Sequence, residues 1–236
     1  NTSKTLWTSF QKINELPQYV NPKSGYLFNT NHSPFLASAK EDNLRASNFS
    51  AQSGWETNHN NRSVRLLQMM PEGKIDYTTF KKIKFSRQLP EPMQYPYGVD
   101  TLFLMKRNEY PQYDSLLQVL QTWDRRGDAE SKGAAVFLLI YENVAKAKRG
   151  KEPQQLTKVE CENTLSAVQE YMRKNFGTLD LTLGDIQKLV RGDKEYPAPG
   201  LPDLLAPEWG VAWKDGKRKI TGGDAYVAMV RFPKDG

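Results

Sequence analysis

The sequence holds one cysteine, Cys161, and two histidines, His32 and His59. A single thiol excludes an internal disulfide and leaves the redox compartment open. No His or Cys pair stands at metal-ligand spacing, which removes the zinc signatures built on such pairs. There is no Gly-rich phosphate loop and no Gly-x-Ser-x-Gly elbow. Long apolar runs are missing as well. The longest, Ala134 to Tyr141, is far below the roughly 18 apolar residues of a membrane span and suits a buried element. Asn1 to Phe10 lacks the basic start and apolar stretch of a signal peptide, although a processed piece would lack them too.

Charge of one sign does not dominate. The net charge of +6 is the balance of 33 basic and 27 acidic residues. Basic side chains gather at Lys81, Lys82, Lys84 and Arg87, at Lys146 to Lys151 and at Lys214 to Lys219, with acidic residues between these runs. Nucleic-acid binders place such charge on one face beside stacking aromatics. Dispersed runs favour solvated faces, so no nucleic acid is expected as partner, and no membrane. Both histidines fall in polar loops, where a lone histidine is usually a surface residue.

What is present is enough for a folded core: 38% hydrophobic and 25% charged residues. A mean hydropathy of -0.68 reflects abundant Asn, Gln, Ser and Thr and predicts long polar connections. Residues 1–61 show few helical periods. Tyr26 to Phe28, after Pro22 and Gly25, reads as a short strand or buried extended segment. A helix starts near Arg62, carried by Val64, Leu66, Leu67 and Met70. Asp76 with Thr79 starts another, which Pro90, Pro92 and Pro96 must end. Ser115 and Gln118 read as a capping box, with Leu116, Leu120 and Trp123 on one face. Ala134 to Lys148 reads as one buried helix, although Val136 to Tyr141 alone could be a strand. Thr157 and Glu160 form a further capping box, with Leu156 and Cys161 as its hydrophobic staple and Val159, Leu165, Val168 and Met172 carrying the helix to Gly177. Cys161 is therefore assigned to the core. Thr182 and Asp185 predict a helix through Leu183, Ile186 and Val190, closed by Arg191-Gly192. Val211 to Trp213 and Ala225 to Phe232 read as strands.

One stretch is specific: Asn21-Pro22-Lys23-Ser24-Gly25-Tyr26-Leu27-Phe28-Asn29-Thr30-Asn31-His32-Ser33-Pro34. It resembles the penicillin amidases (S45 peptidases), in which Asn-Pro-x-Ser-Gly-Tyr leads into Asn-x-Asn and then Ser-Pro. Asn61-Arg62-Ser63-Val64-Arg65-Leu66-Leu67 is similar to the family's Arg-containing helix start. Leu120-x-x-Trp123-Asp124, followed by Ser131 and a small apolar helix start, fits too. Gly222-Gly223-Asp224-Ala225-Tyr226-Val227 resembles the Gly-Asp-Ser-Tyr strand of the acyl-homoserine-lactone acylase branch, with Ala225 in place of the serine. The likeness runs through nearly the whole chain in order.

This resemblance implies an N-terminal-nucleophile (Ntn) amide hydrolase made from an autoproteolytic precursor. A serine opening the mature β-chain attacks the amide carbonyl, and its own α-amine acts as base. An α-amine titrates near pH 8, so a useful fraction is neutral at working pH. The motif assigns Asn31 as the oxyanion-hole side chain, Asn29 as a brace of its loop and Arg62 as an orienting residue in the active site. From spacing alone, Asn31 reads rather as an Asn holding a turn before Pro34, and Arg62 could equally be a solvated arginine; the motif match reverses the first reading. The helix dipole disfavours a cation at that end. Asp42 falls where some members place a calcium ligand, so calcium is a possible cofactor of the parent protein, although most ligands would come from outside this chain.

The nucleophilic serine has no counterpart here: the chain starts at Asn1, and Thr2 and Ser3 lack a free α-amine unless upstream residues are trimmed. The expectation is an internal part of the β-subunit, catalytically silent alone. Its partners would be the rest of its own precursor (the α-subunit and the N-terminal part of the β-subunit) and a small-molecule amide such as a penicillin-like or acyl-homoserine-lactone-like compound. The expected fold class is α+β, mostly helical, a piece of the family's αββα sandwich with a helical insertion and a few strands at the ends. Residues 1–61 would form an active-site loop segment, 62–192 a helical region, and 193–236 a Pro-rich connection with terminal strands. Family resemblance also implies a periplasmic or secreted location and a link to antibiotic biosynthesis. The different-class alternative is a helical binding or interaction domain that keeps the acylase scaffold without its chemistry.

Overall fold

The computed structural model describes residues 10–224 and 226–232. Asn1, Thr2, Ser3 and Ala225 lie outside the described residues. The fold is α+β, and its frame is a stack of three helices beside a small mixed sheet.

Helix α4 (Lys132–Lys148) is the centre of that stack. Residues 133 to 140 are all buried, so its first turns are apolar on every side. Such a helix must be surrounded by protein. That is why the periodicity alone could not separate it from a strand. Helices α3 (Asp114–Gln121) and α5 (Lys158–Phe176) cover it, contributing Leu116, Leu117 and Leu120 from one side and Leu165, Val168 and Met172 from the other. Full burial of each such side chain is worth roughly 1.5–3 kcal/mol. Close approach is enforced at Gly133, where a Cβ would lie 2.2 Å from Trp123 Cγ.

The helix starts follow their caps. Ser131 Oγ accepts from Ala134 N at 3.1 Å, and Thr157 and Glu160 exchange both bonds of the expected capping box. Leu156 and Cys161 are buried beside that cap, as the staple requires. Val159 is an exception: it points outward at 65% exposure. The Ser115–Gln118 box does not form. Helix α3 begins earlier, at Asp114, because the 3-10 turn Pro111–Tyr113 feeds directly into it. Gln118 instead accepts from Arg107 Nη2.

Two shorter helices precede the stack. Helix α1 (Asn61–Met69) is capped by Asn60, whose Oδ1 accepts from Ser63 N at 2.9 Å. Helix α2 (Tyr77–Lys84) is capped by Asp76, which accepts from Thr79 N at 2.6 Å.

The helix expected from Thr182 to Arg191 is cut short. Helix α6 stops at Ile186 after Leu183–Ile186, and strand β1 (Gln187–Arg191) continues from it. Gly192-Asp193 then turns the chain into strand β2 (Lys194–Pro197), with Arg191 opposite Lys194. A two-residue Gly-Asp turn with Gly192 at φ +60° is a hairpin signal, and the β-branched and apolar residues beside it agree. Strand β3 (Glu208–Ala212) overlaps the expected Val211–Trp213 strand and pairs antiparallel with β4 (Arg218–Gly223). Parallel pairing of β1 with β4 completes the order β2-β1-β4-β3. Tyr226 to Phe232 carries no regular strand, and neither does Tyr26 to Phe28. All four strands therefore lie in the C-terminal part of the chain.

Candidate active site

Residues 10 to 60 contain only short 3-10 turns, so side chains must supply what a ladder would. Phe28 N donates to Ala37 O at 3.0 Å, and Ser38 Oγ donates to Tyr26 O at 3.0 Å. Leu27 is half exposed between them. Asp42 braces the Asn21–Gly25 turn: its two carboxylate oxygens accept from Lys23 N at 3.1 Å and Ser24 N at 2.7 Å. These bonds, that from Ser24 foremost, hold the Asp42 carboxyl below its ordinary range. Calcium demands six to eight oxygens. Among the described residues no group of three or more His, Cys, Asp or Glu side chains could hold a metal, so the residues around Asp42 do not make a calcium site by themselves.

Asn31 sits in the left-handed region at φ +57°, which Asn tolerates better than most residues. Its N–H donates to Asn29 Oδ1 at 2.6 Å, closing a local turn. His32 is buried, contrary to the expectation of a surface histidine. It stacks on Phe28 at 4.8 Å and lies 6.0 Å from the His59 ring. Thr30 N donates to His32 Nδ1 at 3.2 Å, so Nε2 carries the proton and donates to Leu36 O at 2.9 Å. Partial burial, and then the facing His32, push His59 below its usual value.

The structure brings Asn31 and Arg62 together. Arg62 Nη1 donates to Asn31 Oδ1 at 3.0 Å, and Arg62 Nε donates to Asp203 Oδ1 at 2.8 Å. Asp203 Oδ2 also accepts from Asn61 N at 2.8 Å and Asn61 Nδ2 at 2.9 Å. A carboxylate thus compensates the cation near the helix start, answering the dipole argument against it. The arrangement also decides which way the Asn31 amide faces. A guanidinium can only donate, so the oxygen must meet Arg62 and the NH2 group is left over. Among the described residues Asn31 Nδ2 has no acceptor, and Asn31 is exposed. The site therefore presents a fixed amide donor at the surface, backed by an ion pair.

Comparison with known proteins shows the family. The family profile described as penicillin amidase matches residues 1–234. The chain belongs to the penicillin amidase family. A curated member-like relative is an acyl-homoserine lactone acylase, PvdQ, of Pseudomonas fluorescens, 32% identical over 78 residues. That match covers 32% of this chain and 10% of the relative, so the chain matches about a tenth of that protein's length.

Two residues of this candidate site carry no family motif that the sequence reading used. Asp203 lies 141 residues from Arg62 in a Pro-rich connection, where no local signal marks it. Asn60 did carry a signal, since Asn followed three residues later by Ser63 is a cap pattern. No helix among the described residues is long and apolar enough to cross a membrane.

Proposed function

We propose that this chain is part of an amide hydrolase that removes an acyl group from an amine, and that Asn31 supplies one donor of its oxyanion hole. The observation that carries the reading is the Arg62–Asn31 bond, which occupies Oδ1 and leaves Nδ2 free to donate. As the nucleophile adds to the amide carbonyl, the C=O electron pair moves onto oxygen. A donor already fixed in place stabilises that charge without reorganising. The Arg62 hydrogen bond draws electron density from Oδ1 and so makes the Nδ2 hydrogens better donors. Asp203 keeps the guanidinium paired, so Arg62 acts as an anchor for Asn31 and not as a free cation competing for the oxyanion.

The nucleophile in this reading is a serine with its own α-amine as base, carried by another part of the protein. The partners are the remaining segments of the same precursor and a small-molecule amide. The relative's name makes acyl-homoserine lactones one substrate class to test beside penicillin-like amides. Export to the periplasm or beyond, and a link to antibiotic biosynthesis, follow from family membership in the same proposal. Asp42 would join a calcium shell only with oxygens from outside this chain, and no step is routed through it.

The test is Asn31→Ala in the full-length protein with acyl p-nitroanilides of two, eight and twelve carbons and an acyl-homoserine lactone. Loss of one oxyanion donor lowers kcat by about 10²–10³, with KM little changed. A wild-type kcat in Asn31→Ala would sink the oxyanion role, whereas no turnover of any of these amides by the full-length wild type would favour a binding domain on an acylase scaffold.

A further inference from the structure

Asn31 can donate usefully only while its backbone stays in the left-handed conformation that aims its side chain. The side chain of Asn60 grips that backbone. Asn60 Nδ2 donates to Thr30 O at 2.7 Å and to Asn31 O at 3.4 Å, the carbonyls on either side of the Asn31 α-carbon. Asn60 Oδ1 accepts from Thr30 Oγ1 at 3.1 Å and from Ser63 N at 2.9 Å. The amide orientation is unambiguous: carbonyls can only accept and a backbone N–H can only donate. All four of its hydrogen-bonding positions are used. One oxygen caps α1, which carries Arg62, and one NH2 group holds the loop that carries Asn31. Asn60 thus couples the helix and the loop whose side chains meet in the Arg62–Asn31 bond.

We infer that Asn60 is a positioning residue for the amide hydrolysis, holding Asn31 against Arg62 through its NH2 group; this rests on the oxyanion reading of Asn31. The two roles of Asn60 separate cleanly in substitution. Asp and Ser are helix caps as good as Asn, so Asn60→Asp and Asn60→Ser keep the oxygen that serves Ser63 N. Both remove the NH2 group that donates to Thr30 O and Asn31 O, Ser leaving only one shorter hydroxyl, and the carboxylate of Asn60→Asp also faces those carbonyls with like charge.

The experiment measures kcat and KM of the full-length protein on octanoyl p-nitroanilide for Asn60→Asp, Asn60→Ser and Asn31→Ala. It adds the double variant Asn31→Ala/Asn60→Asp. Rates are referred to active sites counted by the acyl-enzyme burst, so a fraction that fails to fold does not enter. Asn60→Asp is expected to lower kcat about 10- to 100-fold with KM within twofold, because a small misplacement of an aimed group is enough. Asn60→Ser is expected to fall between it and the wild type. In the Asn31→Ala background, Asn60→Asp should change kcat less than twofold, since the group it positions is gone. A wild-type kcat in both Asn60 variants, or the same loss in both backgrounds, overturns the positioning role and leaves Asn60 a helix cap. A wild-type kcat in Asn31→Ala alone overturns the oxyanion reading and the positioning role with it.

Discussion

Asn31 and Cys161 show how much a single side chain's surroundings decide about its chemistry. Asn31 is short enough to occupy a backbone region that costs larger residues roughly 1–2 kcal/mol, and its amide is split between an anchored oxygen and an open NH2. Cys161 has the more reactive group in principle, but it is packed beside Leu156 at the start of α5. Burial, helped by Glu160 and Glu162, pushes its thiol up to about 11. The thiolate is the reactive form. At pH 8 the native protein should therefore leave Cys161 unlabelled by a chromogenic disulfide over minutes, while denaturant releases it at once. Rapid labelling of Cys161 in the folded protein, located by peptide mass, would contradict its assignment to the core.

Helices here are secured at their starts, and one start carries a pH dependence. Glu160 closes the capping box with Thr157 and pairs with the buried ammonium of Lys148, so it ties α5 to the end of α4. The Lys148 bond, followed by the bond from Thr157 N, lowers the Glu160 carboxyl to about 2. A depressed folded-state value means that the stabilisation is fully present above the unfolded value near 4.5 and is lost as pH falls through 2. Protection of the α5 first-turn amides, as exchange relative to the unfolded chain at the same pH, should accordingly fall between about pH 4.5 and 2 in the wild type. Glu160→Gln should exchange faster already at pH 7 and lose that pH-dependent step; equal protection of both proteins at pH 7 would refute the clamp. Elements of this kind were legible because a cap is written within four residues, as at Asp76 and Thr157. The β1–β2 hairpin was equally local, but Leu183, Ile186 and Val190 satisfied a helical period and outweighed Gly192-Asp193. Segment 10–60 was legible as extended and loop chain with one specific motif, but not in its contacts, since its bonds, such as Ser24 N to Asp42, join groups distant in sequence. Asn31 and Arg62 were reachable through their motifs, whereas their partner Asp203 was not, because an ion pair across 141 residues leaves no local pattern.

At the scale of the whole molecule, the sheet and the helical stack together hold the connection that delivers Asp203. That connection leaves β2 at Pro197 and reaches Asp203 before β3 begins at Glu208. Gln187, fully buried where α6 passes into β1, donates through Nε2 to Pro199 O at 3.0 Å and Gly200 O at 2.9 Å. Gly200 N donates to Gly127 O at 2.6 Å, Tyr95 OH donates to Pro202 O at 2.8 Å, and Leu201 and Leu204 are buried. The connection that carries the carboxylate pairing Arg62 is thus held, three residues before Asp203, by the residue that opens β1. Gln187→Met keeps most of the volume but strips the donors from these buried carbonyls. Each unsatisfied group costs about 1–3 kcal/mol, while Met also removes the buried, partnerless Oε1 of Gln187, so the variant should lose roughly 1–3 kcal/mol in urea unfolding. Because the slack falls on the Asp203 loop, kcat per active site should also drop, by about three- to tenfold, in the protein that remains folded. Stability lost with kcat per site intact would mean that Tyr95 and the buried leucines hold the loop alone. The sheet would then frame the fold without reaching the site.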